Sequence, residues 1–264
     1  MLNLSFSLYD LEYFLLVLTR VSCFVFVAPF FSMSNTPRHV RVALSFFTAM
    51  LLYETLAPEQ MVVEYNTVAG YAAVVVKEAV TGLLIGLSTN LCSTIVNFAG
   101  SIVDMETGLS MAQVMDPTTK QQTSITGGLY QYVMMLLLIA TGMYRYMMGA
   151  LADTFLLIPI NGAIFHMDSL LSSMLQFMSS YIIIGFRIAL PVFCTILLLN
   201  SILGVLAKVS PQLNMFAVGI QIKILVGLSI LFVSVSMLPG AADFIFVQMK
   251  ELMEDFVIGM GGKL

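Results

Sequence analysis

The residues that could do chemistry in this chain are few and scattered. Two histidines, His39 and His166, stand in separate polar connectors, so there is no H-E-x-x-H metal pair and no Cys/His cluster. Cys23, Cys92 and Cys194 sit far apart in apolar stretches, an odd number without ligand spacing, and read as buried small hydrophobes. A G-x-S-x-G nucleophile elbow is missing, and the glycines are dispersed, not gathered into a phosphate-cradling loop. The sequence therefore predicts no catalytic residue, no metal site and no cofactor, and a chain that is not an enzyme.

The charged residues are more informative. The stretch from Gly100 to Gln122, GSIVDMETGLSMAQVMDPTTKQQ, carries Asp104, Glu106, Asp116 and Lys120, yet intersperses them with Met105, Leu109, Met111, Val114 and Met115. A solvated connector has little use for so many bulky apolar groups, whereas a loop that packs into something, or stoppers it, needs them. Seven further charges, Arg20, Lys77, Glu78, Arg145, Asp153, Arg187 and Lys223, lie inside or at the shoulders of apolar segments. A span of apolar residues gains roughly 6 to 12 kcal/mol on insertion while a central Arg or Lys costs roughly 2.5 to 3.5, so one charge per span is tolerable but must be accommodated. Adjacent Lys77 and Glu78 point about 100° apart on a helix and are expected to meet different partners. Burial within the chain, snorkelling and contact with other protein subunits are the available solutions.

The elements that position these residues follow from composition. The 264 residues are 59% hydrophobic and only 10% charged, with a mean hydropathy of +0.97, far more apolar than a soluble domain. This is the composition of an integral membrane protein. Crossing a hydrocarbon core of about 30 Å takes roughly 20 helical residues, and uncharged runs of that order occur at 79–103, 121–144, 188–207 and 224–242. Two further spans are expected at 14–31, which contains Arg20, and at 42–56, which contains Glu54. Period-2 alternation is missing, so the fold class is all-α. The first residues, MLNLSFSLYDLEYF, lack a basic n-region and are expected to be retained. Basic residues fall mostly in alternate connectors, which predicts both termini outside and loops one, three and five toward the cytoplasm. The net charge of -4 and the lack of any run of like charge set nucleic acid aside as a partner.

Within the third segment Gly82, Gly86, Asn90, Ser93, Asn97, Gly100 and Asp104 follow at steps of three and four and form one stripe of small and polar residues. It begins as G-x-x-x-G, which allows close backbone approach, and leads into the 100–122 stretch. Packing within the chain and contact with a subunit or pore are both open for it. Gly219, Lys223 and Gly227 make a similar face later in the chain. Pro191 removes one helix hydrogen bond beside Arg187 and is expected to kink its span. The tail from Ala241 reads as an amphipathic surface helix, with Phe244, Phe246, Met249, Met253 and Phe256 at near-helical spacing, ending at the glycines from Gly259. From these features alone the chain is a membrane channel, a transporter or an assembly subunit. A stand-alone multispan transporter, with Arg145, Asp153 and Lys223 lining its pathway, is the alternative to the gate described next.

Four segments carry a resemblance: RVSCFVFVAPFFSMSNTPRHVRVALS, AGSIVDMETGLSMAQVMDP, the D-T-F-x-x-x-P that ends at Pro159, and LPVFCTILLLNSILGVLAKVSPQLNMFAVGIQIKILVG. Together, and over nearly the whole length, the chain resembles the FliR/SctT family of the type III secretion export gate. The resemblance implies a subunit of a helical, pore-forming assembly with several FliP and FliQ subunits, with FlhB packed around the cytoplasmic entrance, through which unfolded flagellar proteins pass. It implies a location in the bacterial inner membrane, at the flagellar basal body, with the assembly extending to the periplasmic side, so that apolar segments face neighbouring subunits more than membrane lipid. It also implies a FliP-like unit, residues 1–165, fused to a FliQ-like helical hairpin with a C-terminal helix, residues 166–264. The cytoplasmic turn of that hairpin would be Lys208 to Asn214, with Lys208, Pro211, Gln212 and Asn214 as its marked residues. The 100–122 stretch would be the central plug, with Leu109, Met111, Val114 and Met115 as the side chains that fill the closed pore. The family pattern expects aromatic residues where this chain has Met111 and Val114.

Overall fold

The computed structural model describes residues 8–32, 36–56, 65, 67–112, 114–115, 122–210 and 215–262. Eight α-helices follow one another among these residues: α1 (Leu8–Val27), α2 (Arg38–Leu56), α3 (Val68–Thr107), α4 (Ile125–Ala140), α5 (Met143–Leu157), α6 (Met167–Val209), α7 (Met215–Ser234) and α8 (Leu238–Gly259). The extended structure is a two-residue antiparallel pair, Val114–Met115 (β1) with Gln122–Thr123 (β2), in register Val114 to Thr123 and Met115 to Gln122. The protein is all-α, the class that the apolar runs and the lack of alternation predict.

Three stretches are long and apolar enough to cross a membrane: α3, α6, and the run Val218–Gly259 in which a 3-10 turn at Val235–Met237 joins α7 to α8. At 1.5 Å per residue, the 40 residues of α3 and the 43 of α6 extend about 60 and 65 Å, twice the hydrocarbon core. Charges near their ends therefore need not lie in hydrocarbon. The expected uninterrupted span at 121–144 is not one helix. Ser124 caps α4, its side chain accepting from the Gly127 N–H, and the helix breaks at Thr141, where Gly142 takes φ +72° before α5 begins. The expected spans at 14–31 and 42–56 overlap helices α1 and α2, but these fall outside the three stretches apolar enough to cross, since α1 carries Asp10, Glu12 and Arg20 and α2 carries Arg38, Arg41 and Glu54.

Two compact units make up the chain, each built from separated segments. The first comprises residues 1–91, 142–176 and 249–264. In it α1 packs on α2 through aromatic edges, Phe14 lying 5.6 Å from Phe46 and 5.9 Å from Tyr53 between ring centroids. The end of α8 belongs here: Phe246 apart, the apolar residues expected on one face of the tail helix that are buried, Met249, Met253 and Phe256, lie in this segment, and backbone bonds from Ile164 to Met260 and from His166 to Gly259 tie it to the 164–166 segment. Phe244, expected on the same face, is 56% exposed.

The second unit comprises residues 92–141 and 177–248. Here α3 meets α4 at Gly100, where a Cβ would collide with the backbone of Gly127. It meets α6 through Phe98, whose ring lies 5.4 Å from Tyr181 and 5.9 Å from Phe186, and α7 where Thr107 fills the space left by Gly227. Pro191 sits inside α6, which remains one helix through it. Of the three cysteines expected to be buried, Cys92 is buried and Cys23 half-buried, but Cys194 is exposed, on a face of α6 that the other described residues leave uncovered. The lone histidines are both exposed, with His39 inside the first turn of α2 and not in a connector.

Candidate functional site

The base of the 100–122 stretch is built by Asp104. The helix continues through this residue to Thr107, so the first eight positions of the stretch are the last turns of α3 and the loop proper begins at Gly108, which takes φ +84°. A left-handed glycine just past a helix end is the ordinary terminator, since it turns the chain without a Cβ penalty. A 3-10 turn, Leu109–Ala112, follows, and β1 with β2 returns the chain toward α4. Leu109 is half-buried. Met111 lies in the 3-10 turn, and Val114 and Met115 form β1.

Asp104 is fully buried, and its carboxylate collects donors from the far side of the loop. The Ser124 hydroxyl donates to Oδ2 at 2.7 Å, the Thr126 hydroxyl donates to Oδ1, and the Thr126 N–H lies 3.3 Å from both oxygens. Ser124 Oγ also accepts from the Gly127 N–H at 2.9 Å, as the N-cap of α4. A buried carboxylate is costly unless it is hydrogen-bonded, and here the first turn of α4 supplies both donors and the positive end of a helix dipole. The two ends of the loop are thereby held together. The sequence reading placed Asp104 on the stripe but missed Ser124 and Thr126; the S-I-T before an apolar run was the available signal, an N-cap residue at a helix start.

The stripe itself divides between the two units. In the first, a Cβ on Gly82 would strike the Arg20 carbonyl oxygen and one on Gly86 would sit 3.0 Å from that of Phe24, so α1 and α3 approach backbone to backbone. In the second, Asn97 donates to Gln131 Oε1 at 2.9 Å, beside the Gly100–Gly127 contact. Ser93 is buried and Asn90 half-buried.

The charges sort by burial. Arg20 and Glu78, 58 positions apart, form an ion pair in the first unit with both side chains fully buried, Nε to Oε2 at 2.6 Å. Arg20 Nη1 donates to the Thr154 and Ile158 carbonyls at 3.2 and 2.9 Å, and its guanidinium lies 4.3 Å from the Phe155 ring centroid. The other oxygen of Glu78 accepts from the Asn161 N–H at 3.0 Å, while Lys77 Nζ donates to Asn161 Oδ1 at 3.4 Å. Lys77 and Glu78 do have different primary partners, yet both reach Asn161, a residue held at φ +65° just beyond Pro159. Asn161 was missed from sequence; P-I-N-G is a turn signal, since asparagine tolerates the left-handed region. Arg145 and Asp153 are exposed on α5, where the Arg145 Nε donates to the Tyr144 hydroxyl at 3.0 Å. Arg187 is exposed on α6, over the Phe244 ring, and Lys223 is half-buried on α7. Lys208 lies in the last turn of α6, whereas Pro211, Gln212 and Asn214 lie outside the described residues.

Outside the spanning segments, Tyr65 donates to Glu12 Oε2 at 2.7 Å, and this hydrogen bond to a carboxylate pushes its hydroxyl from 10.0 up to about 12. Among the described residues no group of three His, Cys, Asp or Glu side chains is placed to hold a metal.

A family model described as bacterial export proteins, family 1, matches residues 11–249. The chain is 28% identical over 251 residues to the flagellar biosynthetic protein FliR of Bacillus subtilis (strain 168), covering 94% of this chain and 95% of that one. It is 24% identical to the FliR of Escherichia coli (strain K12), over 91% of this chain and 90% of that one. With the FliR of Aquifex aeolicus (strain VF5) the identity is 27%, over 90% and 91% of the two chains.

Proposed function

Because the chain belongs to the bacterial export proteins, family 1, we propose that it is a non-enzymatic subunit of the flagellar type III export gate, a pore through which unfolded flagellar proteins leave the cell. In this reading it assembles with several FliP and FliQ subunits, FlhB packs around the cytoplasmic entrance, and the assembly stands at the flagellar basal body in the inner membrane, extending to the periplasmic side. Residues 1–165 act as the FliP-like unit and residues 166–264 as the FliQ-like hairpin, turning at Lys208 to Asn214.

The observation that carries the reading is the loop that Asp104 closes. A fully buried carboxylate that collects the donors at the start of the next helix fixes both ends of the connector, as a connector with a set place to occupy requires. Leu109, Met111, Val114 and Met115 are its bulky apolar residues, and they form the plug of the closed pore. Methionine at 111 packs adaptively, which suits a stopper that must leave and return. Exposed apolar residues on the described helices, such as Phe47, Leu136, Leu198 and Phe232, supply faces for neighbouring subunits and for lipid.

The test is the mass of the purified complex. The tagged chain is expected to elute only with FliP and FliQ subunits, in one species of fixed composition. A monodisperse monomer that binds a small solute would replace the gate with the stand-alone transporter.

A further inference from the structure

Within the second unit a cavity of about 390 Å³ opens between α4, α6 and the α7–α8 break. Its polar residues include Arg187, Tyr130 and Ser234, and its apolar wall includes Ile184, Ile188 and Leu238. Ser234 donates its hydroxyl to the Leu231 carbonyl at 3.0 Å, and both it and Tyr130 are buried. Arg187 is different. Its guanidinium stacks 5.3 Å from the Phe244 ring centroid, is exposed, and makes no hydrogen bond or ion pair among the described residues. Pro191, also in the lining, has no N–H, which leaves the Arg187 carbonyl without its usual helical donor. The cavity thus joins an unneutralised cation to an apolar slot.

Its level along the helices says what fits. Arg187 immediately precedes the uncharged run 188–207 on α6, and Asp243 immediately follows the uncharged run 224–242 on α7 and α8. Arg187 meets Phe244 just beyond one end of the two runs, and Gly219, before the second run, has Leu203 of the first against it; each run is about the length of one hydrocarbon core. Lys208 and Lys223 mark one end of the runs; Arg187 and Asp243 mark the other. Arg187 therefore stands where lipid headgroups begin, with the apolar wall beside it, and Asp243 is off the lining.

From this geometry we infer that the cavity binds an anionic phospholipid, its phosphate on the Arg187 guanidinium and the start of an acyl chain along Ile184, Ile188 and Leu238. Phosphatidylglycerol, an anionic phospholipid, carries such a phosphate. An acidic side chain of another protein would satisfy the cation but leave the apolar slot empty, so the lipid accounts for more of the site.

The chain contains no tryptophan, so Met237→Trp, at a lining position 62% exposed, is a unique reporter. The full-length variant is reconstituted, alone and within the assembled gate, in phosphatidylcholine vesicles doped with acyl-brominated phosphatidylglycerol or acyl-brominated phosphatidylcholine. Quenching is expected to show about fivefold preference for the anionic lipid, the size one basic group gives at an anionic surface. Adding Arg187→Gln is expected to abolish the preference, and adding Arg145→Gln to leave it. Equal quenching by both lipids, a preference that survives Arg187→Gln, or loss of quenching in the assembled gate overturns the inference, the last by showing that protein fills the slot. Native mass spectrometry of the unsubstituted and Arg187→Gln chains supplies a second readout. Retained phosphatidylglycerol is expected on the first only, and equal retention, or none on either, counts against the site.

Discussion

Glu78 uses its two carboxylate oxygens differently, one on the Arg20 guanidinium and one on the Asn161 N–H. With both members of the ion pair fully buried, removing one strands the other. Glu78→Ala is therefore expected to destabilise the protein by about 3 to 5 kcal/mol, read as a lowered Tm in detergent, whereas the double variant Arg20→Met/Glu78→Leu is expected to recover most of that loss. Equal Tm for the two variants would remove the stranded charge as the cause. Tyr65 offers a test by pH. Its hydroxyl is raised to about 12 by the bond to Glu12, so the fold favours the neutral form; that contribution is complete below about 10 and is lost as pH rises toward 12. Tyr65→Phe is expected to flatten the fall in stability across that window, measured by thermal melts from pH 9 to 12. The sequence made Arg20, Lys77 and Glu78 conspicuous as charges in apolar surroundings, but not their pairing. A bond across 58 positions depends on how α1 and α3 meet, and helical periodicity carries no information about which distant residue faces which.

Among the elements, α3 and the loop after it are organised by one stripe. Its glycines let α1 and α4 approach, and its last member, Asp104, fastens the loop base. Asp104→Ala leaves the Ser124 and Thr126 hydroxyls and the Thr126 N–H without their acceptor, at a cost of about 1 to 3 kcal/mol. Amide exchange at Ile125 to Gly128 is expected to accelerate, while the amides of α1 keep their protection; unchanged exchange at 125–128 would mean that the N-cap alone holds the turn. Gly100→Leu is expected to be worse tolerated than Gly128→Leu, judged by yield of folded protein, because a Cβ at Gly100 meets the Gly127 backbone and one at Gly128 meets open space. The stripe and the all-α class were legible because spacing and apolar run length encode them directly. The end of α3 was not, since a polar composition from Gly100 onward resembles a loop until a buried partner for Asp104 makes it helix. The break at Thr141–Gly142 was hidden for the opposite reason: the apolar run continues across it, and only the backbone of Gly142 turns.

Over the whole molecule, long helices exceed the hydrocarbon core about twofold, and large apolar residues remain exposed on several of them. Both features suit a chain completed by other subunits, as the proposed export gate requires. The family was legible from G-L-S-x-A-x-x-x-D-P and K-x-S-P-Q-L-N-x-F, although Asp116 to Lys120 and Pro211 to Asn214 lie outside the described residues. The plug is the claim on which the functional account turns, and single-channel conductance of the assembled gate with Gly108 to Met115 deleted tests it most directly. The account predicts a large rise in small-ion current with assembly intact. Conductance equal to that of the unaltered gate would contradict it.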